Sequence, residues 1–417
     1  MIRYRYGICA VLISLLLHIE YGFTAEQQIP AEYTQWLKEL KQEMIERGIS
    51  KKTINKAFAK NYYHPRHEVI NKDRKQTEFV LTTSDYLHRV IAPIRVQQGR
   101  KLYKELLKQY PHGINGVPLR YLVAFWGIET NYGTHKGGYP AIEALTVLSY
   151  DKRRPKFFRE ELYQALKILD EGHINIDKME SSWAGAMGHF QFMPSTFSKY
   201  AKDADKDGKI DIWNNFQDAI FSAANYLKAM GWNDQIPWGT TIELEEGFDY
   251  SQIGRHRIKT VLEWRKLGAT VKNAKNEWKG AVILPEGHRG QAYIVFDNFH
   301  LIMQWNKSEN YALAIGILAD QISNPTLKMG VSSYQGYKLN KTDIKNIQKF
   351  INSRKISHIE EDGSLGGKTR EAVQRLQQKF KLPADGYPDF RLLENIKNFE
   401  QYGYAPPIPI QKLHRGK

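Results

Sequence analysis

The sequence has one cysteine in 417 residues, and that residue, Cys9, stands at the head of the amino-terminal apolar run. It precedes the run rather than following it, which is the wrong side for a lipid-attachment site. If that segment is removed on export, no thiol is left for a disulfide or for cysteine catalysis. Long hydrophobic runs are missing too. The stretch from Ile8 to Leu17 is about ten residues long, short of the roughly 20 that span a bilayer. With Arg3 and Arg5 before it and Ala25 behind, it has the layout of a secretory signal over residues 1–25, so the expectation is an exported chain without a transmembrane anchor. Acidic residues are the third shortfall: 45 against 60 Lys and Arg leave a formal charge of +15. Such a surface attracts polyanions, whether nucleic acid, an anionic membrane or a carboxylate-bearing cell wall. No recognisable nucleic-acid fold or motif appears, and an export signal argues against that partner.

What is present suits an ordinary globular protein: 42% hydrophobic and 12% aromatic residues, in a chain with room for two or three domains. Trp36, Leu37, Leu40 and Met44 recur at helical spacing, Gly48 interrupts, and Ile54 and Phe58 resume, which predicts a helical pair. The block from about Val117 to Gln321 reads as mainly helical, with a small strand pair formed by Ala281–Leu284 and Gln291–Phe296. After Asn324 and Pro325 a polar stretch through Gly330, Ser332, Ser333 and Gly336 marks a boundary. Beyond it lies a compact unit in which Asp362-Gly363 and Asp385-Gly386 flank a helical stripe of Ala372, Val373, Leu376, Gln377 and Phe380. The residues from 401 to 417, with Pro406, Pro407 and Pro409, read as an extended tail.

The segment Pro118 to Glu129 predicts a helix begun by proline, with Leu122, Phe125 and Glu129 on one face. A carboxylate then ends an apolar stripe. Partial desolvation and the negative end of the helix dipole would raise its pKa, as a general acid working near neutrality requires. From position alone a water-facing helix end is the better explanation of Glu129.

The surrounding pattern decides between them. Gly127-Ile128-Glu129-Thr130-Asn131-Tyr132-Gly133 is followed by Ser182-Trp183-Ala184-Gly185-Ala186-Met187-Gly188, then Gln191-Phe192-Met193-Pro194-Ser195, Asn225 to Trp232, and Trp305-Asn306-Lys307-Ser308-Glu309-Asn310-Tyr311-Ala312. Over roughly Ala31 to Ile322 this order of motifs resembles the membrane-bound lytic transglycosylase B family. The resemblance implies a lysozyme-like helical catalytic domain, 26–330, with a deep glycan cleft and Glu129 as its sole catalytic carboxylate. It implies cleavage between N-acetylmuramic acid and N-acetylglucosamine with closure of a 1,6-anhydro ring. One carboxylate suffices there because the substrate supplies its own nucleophiles, whereas the common two-carboxylate glycosidases need a second, for which Glu143 and Asp151 stand nearest in the chain. Carried over by motif position, Ser182 and Gln191 line the cleft, Tyr226 and Asn306 orient acid or substrate, and Tyr311 belongs to the same wall. One departure is Trp305, where the family usually has tyrosine: stacking on sugar survives that change, a hydroxyl hydrogen bond does not. Gly185 and Gly188 are read as letting backbone approach backbone.

Asp203, Asp205, Asp207 and Asp211 fall at positions 1, 3, 5 and 9 of a run with Gly208 at position 6, close to an EF-hand loop over 203–214. Lys209 would give its carbonyl, and Asn214 replaces the usual bidentate glutamate. Relatives in the resembling family bind calcium in such a loop, so the ligand set Asp203, Asp205, Asp207, Lys209 and Asn214 implies a structural Ca²⁺ and no catalytic cofactor. Residues 336–400 resemble the small helical peptidoglycan-binding domain, although Tyr387-Pro388-Asp389 replaces the expected hydrophobic-glycine pair. The implied partners are peptidoglycan strands and other wall-remodelling enzymes, and the implied place is the periplasm of a Gram-negative-type bacterium. A hydrolytic muramidase and a non-catalytic wall-binding scaffold are the competing readings.

Overall fold

The computed structural model describes residues 30–59, 69–70, 81–327 and 339–403. The expected signal segment, Cys9 and the tail from 404 onward lie outside these residues. Fifteen α-helices, two 3₁₀ helices and seven short strands make up the described elements, the mainly helical class expected. Their buried apolar side chains fall into three clusters.

The first and largest cluster joins most of the helices. Leu37, Leu40 and Met44 of Ala31–Glu46 and Ile54 of Lys51–Ala57 are buried, as the spacing predicts. Ser50 caps the second helix by accepting from the Thr53 N–H at 3.2 Å. At the centre, Leu119–Thr130 packs against Glu309–Ser323. Both are apolar almost all round, because neighbours cover them on every side. Gly316 has a packing reason: a Cβ there would stand 2.2 Å from the indole of Trp238.

The predicted strand pair is real, Lys279–Ile283 with Ala292–Val295, but it is the middle of something larger. Gly239–Leu244 pairs with the second strand, and Lys259–Thr260 and Ala269–Thr270 close the edges of a five-stranded antiparallel sheet. Side chains alternate across it. Ala281, Ile283, Tyr293 and Val295 join the helical core, while Val282, Leu284, Ile294 and Phe296 join a second core with Val261 and Trp264. A sheet covered on both faces has strands that read as apolar runs rather than as alternation.

The third cluster belongs to three helices, Lys341–Ser353, Gly367–Lys379 and Phe390–Tyr402. Here the two Asp-Gly turns are read in the same way. Gln348 donates to Asp362 Oδ1 at 2.9 Å and accepts the Gly363 N–H at 2.8 Å. Gln377 does the same for Asp385 and Gly386 at 2.9 and 2.8 Å. This unit sits on the sheet: Arg370 donates to the Pro285 carbonyl at 2.8 Å, Gln374 to that of Tyr250 at 2.9 Å, and His288 Nδ1 meets Asp385 Oδ2 at 2.6 Å.

Candidate active site

Glu129 occupies the last turn of Leu119–Thr130, half-buried, on the face where Leu122 and Phe125 are fully buried. The Tyr311 hydroxyl, from the first turn of the antiparallel helix Glu309–Ser323, donates to Glu129 Oε1. Tyr311 is itself 3% exposed, so this donor is held by packing. The motif residues after the acid fix the helix end. Asn131 and Tyr132 turn back with φ of 50° and 60°. Thr130 Oγ1 donates to the His189 carbonyl at 2.8 Å, Arg95 Nε to Asn131 Oδ1 at 3.2 Å, and the Tyr132 hydroxyl to the Arg95 carbonyl at 2.8 Å. The acid thus stands on a helix terminus tied at three points.

Beside it runs a wall of rings. Trp305 lies 4.5 Å from Phe125 and 5.0 Å from Tyr226 between centroids, and Tyr226 stacks on Tyr200 at 4.6 Å. Trp305 and Tyr226 are half-buried. Burial, followed by the neighbouring Tyr200, pushes the Tyr226 phenol up and keeps it neutral. Trp305 stands in this wall as a ring packed on Phe125 and Tyr226. Tyr200 had no signal in the sequence; it enters because the Asn225 amide donates to its carbonyl at 2.8 Å.

The other expected positions lie in the loop that carries Ser182 and Gln191 and at the helix end that carries Asn306. Ser182 Oγ accepts the Ala184 and Ala186 N–H groups at 3.3 and 3.2 Å. Gln191, with φ of 50°, donates to the carbonyls of Lys136 and Gly188 at 3.1 Å each, which leaves its own carbonyl oxygen to offer. Gly188 has φ of 68°, and a Cβ there would stand 2.4 Å from the Ile212 carbonyl oxygen. Asn306 is the C-cap of Asp297–Trp305, half-buried. His189 was not foreseen: burial and then Lys136 push it down to about 4, so it is neutral and accepts the Trp126 Nε1–H at 3.0 Å. The two runner-up carboxylates are engaged elsewhere. Asp151 accepts the Arg153 N–H at 2.9 Å, and Glu143 lines a different cavity with Asp177 and Glu180.

The acidic loop brings together Asp203, Asp205 and Asp218, whose nearest carboxylate oxygens all lie within 4.8 Å of one another. Asp218 belongs to the next helix, Phe216–Ala229, and was missed because it lies beyond the spacing of the loop. Of the other expected ligands, Asp207 is exposed and accepts the Lys209 N–H at 2.8 Å, and Asn214 is exposed and donates to Asp211 at 3.1 Å. Asp203 Oδ1 is buried and, among the described residues, has no hydrogen-bond partner. Burial, then the two neighbouring aspartates, pushes the Asp218 carboxyl up. A hard cation with oxygen ligands fits that oxygen and that crowding of like charge.

Comparison with known proteins gives the following. Residues 32–320 match the family model of the transglycosylase SLT domain, and residues 340–396 that of a peptidoglycan binding domain. Membrane-bound lytic murein transglycosylase B of Escherichia coli is 31% identical over 252 residues, 57% of this chain and 66% of that relative, just under two thirds of its length. The structure of SltB3 from Pseudomonas aeruginosa in complex with NAG-anhNAM-pentapeptide superposes with a TM-score of 0.81 at 37% identity, covering 88% of this chain and 99% of that one. The Escherichia coli lytic transglycosylase SLT35 in complex with calcium gives 0.59 at 26% identity, covering 69% and 92%.

Proposed function

The chain belongs to the transglycosylase SLT domain family, and from that premise we propose a lytic transglycosylase that cuts peptidoglycan between N-acetylmuramic acid and N-acetylglucosamine with Glu129 as acid and then base. The observation that carries the assignment is Glu129 at the end of an apolar helix face, half-buried, with the Tyr311 hydroxyl on its carboxylate and a wall of half-covered rings beside it. Protonated Glu129 gives its proton to the glycosidic oxygen as the bond from muramic C1 to that oxygen breaks. The N-acetylglucosamine side leaves as an alcohol. The carboxylate, steadied by Tyr311, then takes the proton of the muramic C6 hydroxyl as its oxygen closes on C1, so no water is consumed. Tyr226 and Trp305 supply stacking faces, and Ser182, Gln191 and Asn306 supply polar contacts to the sugar.

Asp203, Asp205 and Asp218 would hold a Ca²⁺. Its contribution is structural, since it would join the loop to the start of Phe216–Ala229 and neutralise three carboxylates. Residues 336–400 form the wall-holding unit, and residues 1–25 an export signal that delivers the enzyme to the periplasm.

Mass spectrometry of the muropeptides tests the reaction. The expected products end in 1,6-anhydromuramic acid, about 18 Da lighter than hydrolytic ones because no water has been added. Reducing ends carrying solvent oxygen would replace this reading with a muramidase.

A further inference from the structure

Where the C-terminal unit meets the catalytic body the two line a half-open cavity of about 270 Å³. Its charged lining is Arg255, Lys307 and Arg370 against one acid, Glu309. Among the described residues, Arg255 donates to the Met303 sulfur at 3.3 Å, a weak acceptor, and neither Arg255 nor Lys307 has a carboxylate in ion-pair range. The wall is also built from helix starts. Thr83, Glu309 and Gly367 are the first residues of three helices, and Ile344 lies in the first turn of a fourth.

Helix starts leave N–H donors without partners and carry partial positive charge. Three of these four have side-chain caps, from Thr82, Ser308 and Asn340. The fourth, Gly367–Lys379, has Gly366 at its N-cap and no side-chain cap. The fold already shows what such a start accepts: the Ser84 N–H and hydroxyl, in the first turn of Thr83–Val90, donate to the buried Glu286 carboxylate at 2.9 and 2.5 Å.

We propose that this cavity between the two units is an anion site that takes a carboxylate of the wall's stem peptide, held by Arg255, Lys307 and the open start of Gly367–Lys379. This rests on the lytic transglycosylase reading. The sugars of a peptidoglycan strand are uncharged apart from what the peptide carries, so an electropositive site on a wall-binding protein matches the peptide. At about 270 Å³ the space is below the ~300–1,000 Å³ of sites that enclose whole drug-sized ligands, and it suits the end of a peptide rather than a glycan. The segment from Lys307 to Asn310 separates Asn306 from Tyr311, so a filled cavity steadies the stretch that brings Tyr311 to Glu129.

The test is calorimetric titration of the free stem pentapeptide, without sugar, into the full chain carrying Glu129→Gln, with its C-terminal amide and inorganic phosphate as parallel probes. The pentapeptide is expected to bind in a salt-dependent manner, about tenfold more weakly in Arg255→Gln and in Lys307→Gln, with Glu309→Gln strengthening it. Absence of peptide binding, equal binding by the Arg255→Gln, Lys307→Gln double variant, or binding of phosphate alone would each overturn the proposal. None of these touches the product-mass test of the reaction itself.

Discussion

The antiparallel helices Leu119–Thr130 and Glu309–Ser323 carry an acid at each end of their contact, and the two ends are built differently. At one end Glu129, half-buried, is met by the Tyr311 hydroxyl. At the other end Asp320 accepts the Trp238 Nε1–H at 2.8 Å, near Arg120 and Tyr121, and burial pushes it up to about 6. Trp238 is 2% exposed and offers no face to a substrate. By its raised pKa alone Asp320 would qualify as a general acid. Both carboxylates are half-buried, and what differs is the partner each one meets: the Tyr311 hydroxyl at Glu129 and the buried indole of Trp238 at Asp320.

The strongest way to break that comparison is to remove each charge in turn. Glu129→Gln is expected to lower turnover on purified sacculi by roughly 10²- to 10⁴-fold with sedimentation on sacculi retained, while Asp320→Asn leaves turnover within a fewfold. A dead Asp320→Asn enzyme of normal stability would reverse the assignment.

The next effect is on stability. The folded value of Asp320, about 6, lies above the ordinary 3.8, so the folded state holds its proton more tightly than the unfolded. Its contribution is full below the unfolded value and is lost as pH rises through about 6. Denaturant unfolding from about pH 7 down to about pH 4 is expected to show wild type gaining up to about 3 kcal/mol relative to Asp320→Asn. Parallel curves for the two proteins would show that the acid is not shielded as described.

A third acid sharpens the contrast. Asp218 is fully buried, and its oxygens accept the Ala204 and Asp211 N–H groups at 2.8 Å each. Its crowding with Asp203 and Asp205 is to be relieved by calcium, which is expected to stabilise the fold by about 2.7 kcal/mol at a hundredfold excess over Kd. The rise in Tm should vanish in Asp203→Asn. An unchanged Tm in calcium and in chelator would leave the loop a hydrogen-bonded turn.

The sequence made the candidate site legible because its residues stand in short ordered runs: Gly127 to Gly133 holds Glu129 and the turn that anchors its helix, and Ser182 to Ser195 holds the loop that packs against that helix through His189. It did not reveal partners brought in by long-range packing. His189 acts on Trp126 and Thr130 from about sixty residues away, Asp218 joins the loop from a helix, and Asp320 sits in a segment whose apolar period hides it. The sheet was read as two strands because Lys259–Thr260 and Ala269–Thr270 are too short to leave a pattern and Gly239–Leu244 begins at a glycine. The seat of the C-terminal unit was invisible for another reason: Arg370 and Gln374 bind main-chain carbonyls, which no side-chain motif announces.

That seat changes what the wall-holding unit can be. A module on a loose leash searches a volume set by the length of its linker, but one fastened through Arg370, Gln374 and the His288–Asp385 contact moves with the blade it serves. If those contacts hold the two units together, lengthening the linker by several residues is expected to leave wall binding and cutting unchanged, whereas breaking the Arg370 and Gln374 contacts is expected to alter them.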